Sequence, residues 1–261
     1  MARRPKVGEK AYHLLLAPGE VPRYVLLPGD PGRVPLIAEM WDEKREVAKN
    51  REFVTWVGRY KGVPIAATST GIGSGSTAIA VEELLYVGAD TFIRVGTTGA
   101  LRREIKLGDL IIGTAAVRWD GASRWYAPLE YPAVAHWVVV LALVKAAESL
   151  GVRFHVGIVA STDSFYVGQE RPGYGGYMPP WARGLIETLR NLRVLSFEME
   201  SATIYTLASI YGARAGGVYA AIANRETDEF EPEVGVSDAV RVANEAVRII
   251  AEYDNQGSLR S

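Results

Sequence analysis

Cysteine is absent from this 261-residue chain. Its absence excludes a disulfide framework, a thiolate nucleophile and any cysteine-ligated metal. Histidine is scarce. His13, His136 and His155 are the only three, at no ligand spacing, so no zinc centre is expected. Neither sign of charge is in surplus: 29 Lys and Arg face 30 Asp and Glu, for a net charge of −1. Without a basic excess there is no general attraction to a nucleic acid backbone. Long hydrophobic runs are missing too. The longest, residues 137–144, falls far short of the ~20 residues that span a bilayer. The basic opening Met1-Ala2-Arg3-Arg4-Pro5-Lys6 leads into no apolar segment, which argues against a secretory signal. Together these absences predict a cytoplasmic protein with no nucleic acid or membrane partner.

What is present is ordinary for a globular chain: 48% hydrophobic and 23% charged residues, with length enough for one large core. Apolar runs at 24–27, 65–69, 91–95, 109–114, 154–161 and 216–223 read as strands, and the alternating stretch 52–59 as a half-buried one. Helices are expected over 34–41, from a Ser76 cap onward, over 134–150, 181–191 and 202–211, and from a Ser237 cap onward. Most of the strands are apolar runs without alternation, as in sheets covered on both faces. The expected fold is one α/β domain over residues 1–261, with a core from about 12 to 253, a largely parallel or mixed central sheet and helices on both sides. The polar tail 254–261 is expected to be mobile.

Chemistry concentrates at the predicted strand ends. Ser196-Phe197-Glu198-Met199-Glu200-Ser201 sits between an apolar stretch and a helix, where open α/β sheets bind small molecules. A carboxylate there can accept from two adjacent sugar hydroxyls. Taken alone, Glu200 serves equally well as a helix-start acid, with Ser196 or Ser201 as the cap. Arg33 follows Gly29 and Gly32, and Arg94 interrupts an apolar strand just before Gly96 and Thr97. A guanidinium so placed suits a phosphate or carboxylate, or an internal ion pair. Gly71-Ile72-Gly73-Ser74-Gly75 does not fit the dinucleotide pattern, and it lacks the lysine of a P-loop. In Phe165-Tyr166-Val167-Gly168-Gln169-Glu170-Arg171, Gln169 and Arg171 stand two apart. On an extended segment they would face one flat polar ligand together, with Phe165 on its ring.

Seven motifs in order carry a resemblance. They are Leu27-Pro28-Gly29-Asp30-Pro31, Asn50-Arg51-Glu52-Phe53, Ser69-Thr70-Gly71-Ile72-Gly73, Arg94-Val95-Gly96-Thr97-Thr98-Gly99, Asp120-Gly121-Ala122-Ser123, Gly168-Gln169-Glu170-Arg171 and Phe197-Glu198-Met199-Glu200-Ser201. From about residue 12 to residue 250 the chain resembles the nucleoside phosphorylases of the uridine phosphorylase type. The resemblance implies a three-layer α/β/α sandwich around a mixed, barrel-like sheet, assembled as a hexamer of dimers with shared sites. It implies a phosphate site at Gly29, Arg33, Arg94 and Thr97, with Arg51 lent by a neighbouring subunit. Met199 and Glu200 would contact the ribose, and the neighbour's His13 its 5′-hydroxyl. Phe165, Gln169 and Arg171 would hold uracil, with Thr98 and Gly99 lining the pocket. Glu52, Ile72 and Ser76 match an inter-subunit potassium site of some members. Inorganic phosphate would be the co-substrate, with no organic cofactor. One segment departs from the pattern: Pro172-Gly173-Tyr174-Gly175-Gly176-Tyr177-Met178-Pro179-Pro180.

The implied reaction is reversible phosphorolysis of uridine to uracil and ribose 1-phosphate. Gln169, Arg171 and Glu200 would be its catalytic residues, and phosphate itself the nucleophile, which suits a chain without a catalytic cysteine or triad. A purine-cleaving relative of the same fold would want an acid after strand 216–223, where the chain reads Ala223-Asn224-Arg225. A non-catalytic nucleoside-binding module is the other alternative.

Overall fold

The computed structural model describes residues 4–257. Met1 to Arg3 of the basic opening and residues 258–261 of the tail lie outside the described residues. β1 (Lys6–Val7) and β2 (Lys10–Ala11) form a small hairpin. The other described strands share one sheet: β3 (Tyr24–Leu27), β4 (Glu43–Asn50), β5 (Phe53–Tyr60), β6 (Val63–Thr68), β7 (Thr91–Ala100), β8 (Leu110–Trp119), β9 (Ala133–Val134), β10 (Phe154–Thr162), β11 (Ser196–Glu198), β12 (Arg214–Asn224) and β13 (Glu229–Phe230). The helices are α1 (Arg33–Ala38), α2 (Ser74–Val87), α3 (Trp137–Ser149), α4 (Leu185–Asn191), α5 (Ser201–Ile210) and α6 (Val236–Gln256).

Five strands close on themselves. β7 runs parallel to β12, β12 antiparallel to β8, β8 parallel to β10, β10 parallel to β11, and β11 antiparallel to β7. This is a mixed, barrel-like ring. From β7 the sheet continues outward through β3 and β6, both parallel, then β5 and β4, both antiparallel. Consecutive strand residues go to opposite cores, as the pleat requires. Phe92, Ile111 and Tyr219 join the cluster that includes residues of α2 and α5, while Ile93, Ile112 and Val218 join the cluster that includes residues of α3 and α6. Both faces are covered, which is why the strands read as apolar runs.

Several boundaries differ from expectation. β7 continues through Gly96 to Ala100, because β12 pairs with it as far as Asn224 opposite Ala100. β4 was not expected: its Glu43-Lys44-Arg45-Glu46 start carries no apolar signal, and it is an exposed edge that pairs only with β5. α3 starts at Trp137, since Ala133–Val134 pairs with β8 as β9. α4 starts only at Leu185, after Gly184 at φ 78°. Neither expected serine cap is used. α2 begins at Ser74, whose backbone N–H donates to Asp163 from across the chain, and α6 begins at Val236 behind Gly235.

The tail also begins later than expected, because α6 runs to Gln256. Asp254 anchors it, accepting from Tyr24 Oη and both Arg214 terminal nitrogens at 2.7 Å each. Burial alone would raise the Asp254 carboxyl, but the hydrogen bonds from Arg214 and Tyr24 outweigh it and hold the group below its ordinary value. A carboxyl lowered on folding stabilises above its unfolded pKa of about 4 and loses that contribution as pH falls through the folded value. Asp254→Asn should therefore lose about 2 kcal/mol at pH 7, and the gap in melting temperature to wild type should narrow steadily below pH 4. A gap that is independent of pH would contradict this.

Candidate active site

A cavity of about 700 Å³ lies at the C-terminal ends of β7, β11 and β12, under the loop that follows β10. Arg94 and Glu200 meet in it, with Arg94 Nη2 2.5 Å from Glu200 Oε2. Both side chains are buried. The other Glu200 oxygen accepts from the backbone of Gly73 at 2.8 Å. Gly29 lies against the same guanidinium: a Cβ there would stand 3.2 Å from Arg94 Nη1 and 3.1 Å from the Gly71 carbonyl, so only glycine fits without displacement. Arg33 is buried beside Arg94, outside the cavity lining. Burial lowers its pKa; Glu233, 3.7 Å away, opposes that, and the Arg94 charge adds to it. Arg33 and Arg94 each keep a buried Nε–H with no partner. Two crowded guanidinium groups with unpartnered donors suit a nearby anion. Thr97 lines the cavity alongside.

The two acids of the Glu-Met-Glu stretch separate cleanly. Glu198 takes the backbone donors at the start of α5. It accepts from the backbones of Glu200 and Ser201 at 2.9 Å each, from Ser201 Oγ at 2.7 Å, and from Ser161 Oγ. Burial and then the Glu200 charge push its carboxyl above the ordinary range. Glu200 is thereby left for the cavity, with Met199 beside it. Neither Ser196 nor Ser201 caps α5 with its side chain.

The far end of the cavity gathers Thr98, Gly99, Phe165, Gln169 and Arg171. Gln169 and Arg171 do not lie on an extended segment. Residues 167–169 form a 3-10 turn, and Glu170 is left-handed at φ 54°. The turn still brings the pair together: Arg171 Nη1 donates to Gln169 Oε1 at 2.5 Å and to the Phe165 carbonyl at 2.9 Å, with its guanidinium 4.2 Å from the Phe165 ring centroid. Burial, reinforced by the Arg225 charge, lowers Arg171 to about 10. Thr98 contributes no free hydroxyl, since its Oγ1 donates to the Phe197 carbonyl at 2.6 Å. Tyr174 and Tyr177 of the divergent segment are exposed, and of that segment only Pro172 lines the cavity.

His13 and Arg51 lie outside this cavity and close to each other. Asn50 Nδ2 donates to the His13 carbonyl at 2.8 Å, and the Arg51 guanidinium lies 5.8 Å from the Tyr12 ring centroid. Glu52 and Ser76 flank Gly71, with Glu52 Cγ and Ser76 Oγ each 2.9 Å from where its Cβ would be, next to Ile72, which is 76% exposed. Ile72 also lines the cavity. His13, Arg51 and Glu52 therefore occupy a surface that runs up to the cavity's edge. Among the described residues, no cluster of three or more His, Asp or Glu could hold a metal ion.

The sequence model of the phosphorylase superfamily matches residues 23–253. The chain belongs to the phosphorylase superfamily. Within that superfamily, it is 60% identical to the uridine phosphorylase of Thermococcus kodakarensis, over 98% of this chain and 92% of that protein. It is 46% identical to the uridine phosphorylase of Escherichia coli, over 85% and 90%. It is 39% identical to the guanosine phosphorylase of Halorubrum lacusprofundi, over 84% and 82%.

Several residues that line or brace this superfamily cavity were given no role in the sequence reading. Arg225 donates to the Gln169 carbonyl at 3.1 Å and lines the base end, and burial lowers its pKa. Its only signal was an arginine directly after a strand. Asp228 lies three residues further on and also lines the cavity, although the strand end itself has no acid. Asn224 is structural, donating to the carbonyls of Arg102 and Ile105 and accepting from the backbones of Glu226 and Thr227. Asp163 joins the loop after β10 to the glycine loop through Ser74, across 89 positions, and to the loop after β8 through Gly121, contacts that no local pattern reveals.

Proposed function

We propose that the chain is a uridine phosphorylase, cleaving uridine with phosphate to uracil and ribose 1-phosphate. One observation carries the reading: a single cavity holds an arginine paired with a buried carboxylate, and a glutamine bonded to an arginine that lies over a phenylalanine. These match the three parts of the reaction. Gly29, Arg33, Arg94 and Thr97 hold phosphate below C1′. Glu200 and Met199 hold the ribose, the carboxylate accepting from the 2′- and 3′-hydroxyls. As a phosphate oxygen bonds to C1′ and the bond to uracil breaks, the sugar passes through an oxocarbenium-like state. The electron pair leaves with uracil, and Gln169, Arg171 and Arg225 face its carbonyls to stabilise the charge. The uridine phosphorylases among the relatives support the same substrate.

The active unit in this reading is a dimer, the building block of a hexamer. A two-fold interface presents the same patch from both subunits. The surface with His13 and Arg51 adjoins the cavity's edge, so a neighbour's His13 and Arg51 reach the ribose and phosphate ends. Glu52, Ser76 and the Ile72 carbonyl offer only oxygen donors, which suits a potassium ion shared between subunits. A cytoplasmic location remains the expectation drawn from the sequence.

Uracil release should require phosphate and be matched one for one by ribose 1-phosphate. Release in phosphate-free buffer would point to hydrolysis instead. Arg225→Ala should raise the KM for uridine about tenfold while moving that for phosphate less than about twofold. Equal shifts in both constants would place Arg225 outside the base site. A purine reading has one observation in its favour, Asp228 at the base end, together with the guanosine phosphorylase relative.

A further inference from the structure

Glu83 is a buried carboxylate on α2 that the chemistry above does not use. It accepts from the backbones of His13 and Leu14 at 3.0 and 2.8 Å, and it meets His13 Nδ1 at 2.8 Å. The two backbone bonds hold the carboxylate in one pose. The rings of Tyr12 and Phe53 stand edge-on to the imidazole, at 4.8 and 6.3 Å between centroids. An ionised carboxylate only accepts hydrogen bonds, so the ring nitrogen facing it carries the proton. In a neutral imidazole, that makes Nε2 the acceptor. Nε2 has no hydrogen-bond partner among the described residues, and the ring is 22% exposed on the surface shared with Arg51.

We propose that Glu83 is a positioning residue for substrate selection: it fixes His13 as an Nε2 acceptor for the 5′-hydroxyl of the nucleoside in the neighbouring subunit. This rests on the shared-site reading above. The sugar's 5′ end is then recognised through a relay from α2 of one subunit to the ligand of the other. Neutralising Glu83 removes the preference for the Nδ1–H form and lets the ring turn or change tautomer.

The test is the ratio of kcat/KM for uridine to that for 5′-deoxyuridine, which lacks only this hydroxyl. Wild type should favour uridine roughly three- to tenfold, the range of one neutral hydrogen bond. Glu83→Gln should bring the ratio near one, as should His13→Ala, and combining the two should lower it no further. If Glu83→Gln does not fold, Glu83→Asp decides the matter by the same ratio, because its shorter side chain withdraws the carboxylate from Nδ1 while keeping the charge. A merely structural Glu83 would lower both substrates together and leave the ratio at its wild-type value. That result, with His13→Ala removing the preference, would overturn the proposal. A ratio of one in wild type, or one that His13→Ala leaves intact, would overturn it through the role of His13. Failure of the functional reading looks different: no phosphate-dependent cleavage of uridine at all.

Discussion

Arg94→Ala is expected to lower kcat/KM for uridine phosphorolysis by ~100-fold or more, with a raised KM for phosphate and a lowered melting temperature. Two losses combine. Charge-assisted bonds to phosphate disappear, each worth about 1.5–3 kcal/mol. Glu200 also loses its partner at 2.5 Å while staying buried, and stranding one member of a buried pair destabilises by about 3–5 kcal/mol. Arg94→Lys should recover part of the stability but little of the phosphate affinity, because an ammonium lacks the planar fork. Titrating phosphate and uridine separately, alongside thermal melting, checks both effects. A variant that loses stability but keeps the wild-type KM for phosphate would reduce Arg94 to an internal partner of Glu200.

Arg51→Ala and Glu200→Ala should each be nearly inactive as pure proteins, and co-refolding them should restore roughly a quarter of wild-type activity. In a mixed dimer one site collects both defects, while the other draws Glu200 from one chain and Arg51 from its neighbour. Statistical mixing makes about half the dimers hybrid, with one good site of two. The structure sharpens the case, because Arg51 lies by Tyr12 and outside the cavity that contains Glu200. Size analysis must first establish that the oligomers are mixed. Mixed oligomers no more active than their parents would mean that Arg51 does not serve a neighbour's site.

The α/β class was legible because each central strand is a short apolar run closed by glycine or polar residues. Phe92 and Ile93 face opposite cores, and such a run admits only a sheet covered on both sides. β4 was not legible, since a charged edge strand looks like surface loop. Much of the site was legible for a local reason: Arg94, Thr97, Glu200, Gln169 and Arg171 sit within a few residues of strand ends. What could not be read locally was how roles divide between like residues. Glu198 and Glu200 are two positions apart, yet one is taken up by the backbone donors at the start of α5 and the other by Arg94 and Gly73. That choice depends on Ser161 and Gly73, each on a different element. Arg225 and Asp228 needed the closed ring, which turns the end of β12 toward β7.

The central claim, phosphorolysis of a pyrimidine nucleoside, is tested most directly by comparing kcat/KM for uridine, inosine and guanosine at saturating phosphate. In the proposed reading Gln169, Arg171 and Arg225 would present donors to the carbonyls of uracil, and a site built on such bonds discriminates strongly. The account predicts uridine ahead of either purine nucleoside by at least about tenfold. Equal or faster release of hypoxanthine or guanine would contradict it and assign the base end, with Asp228, to purines.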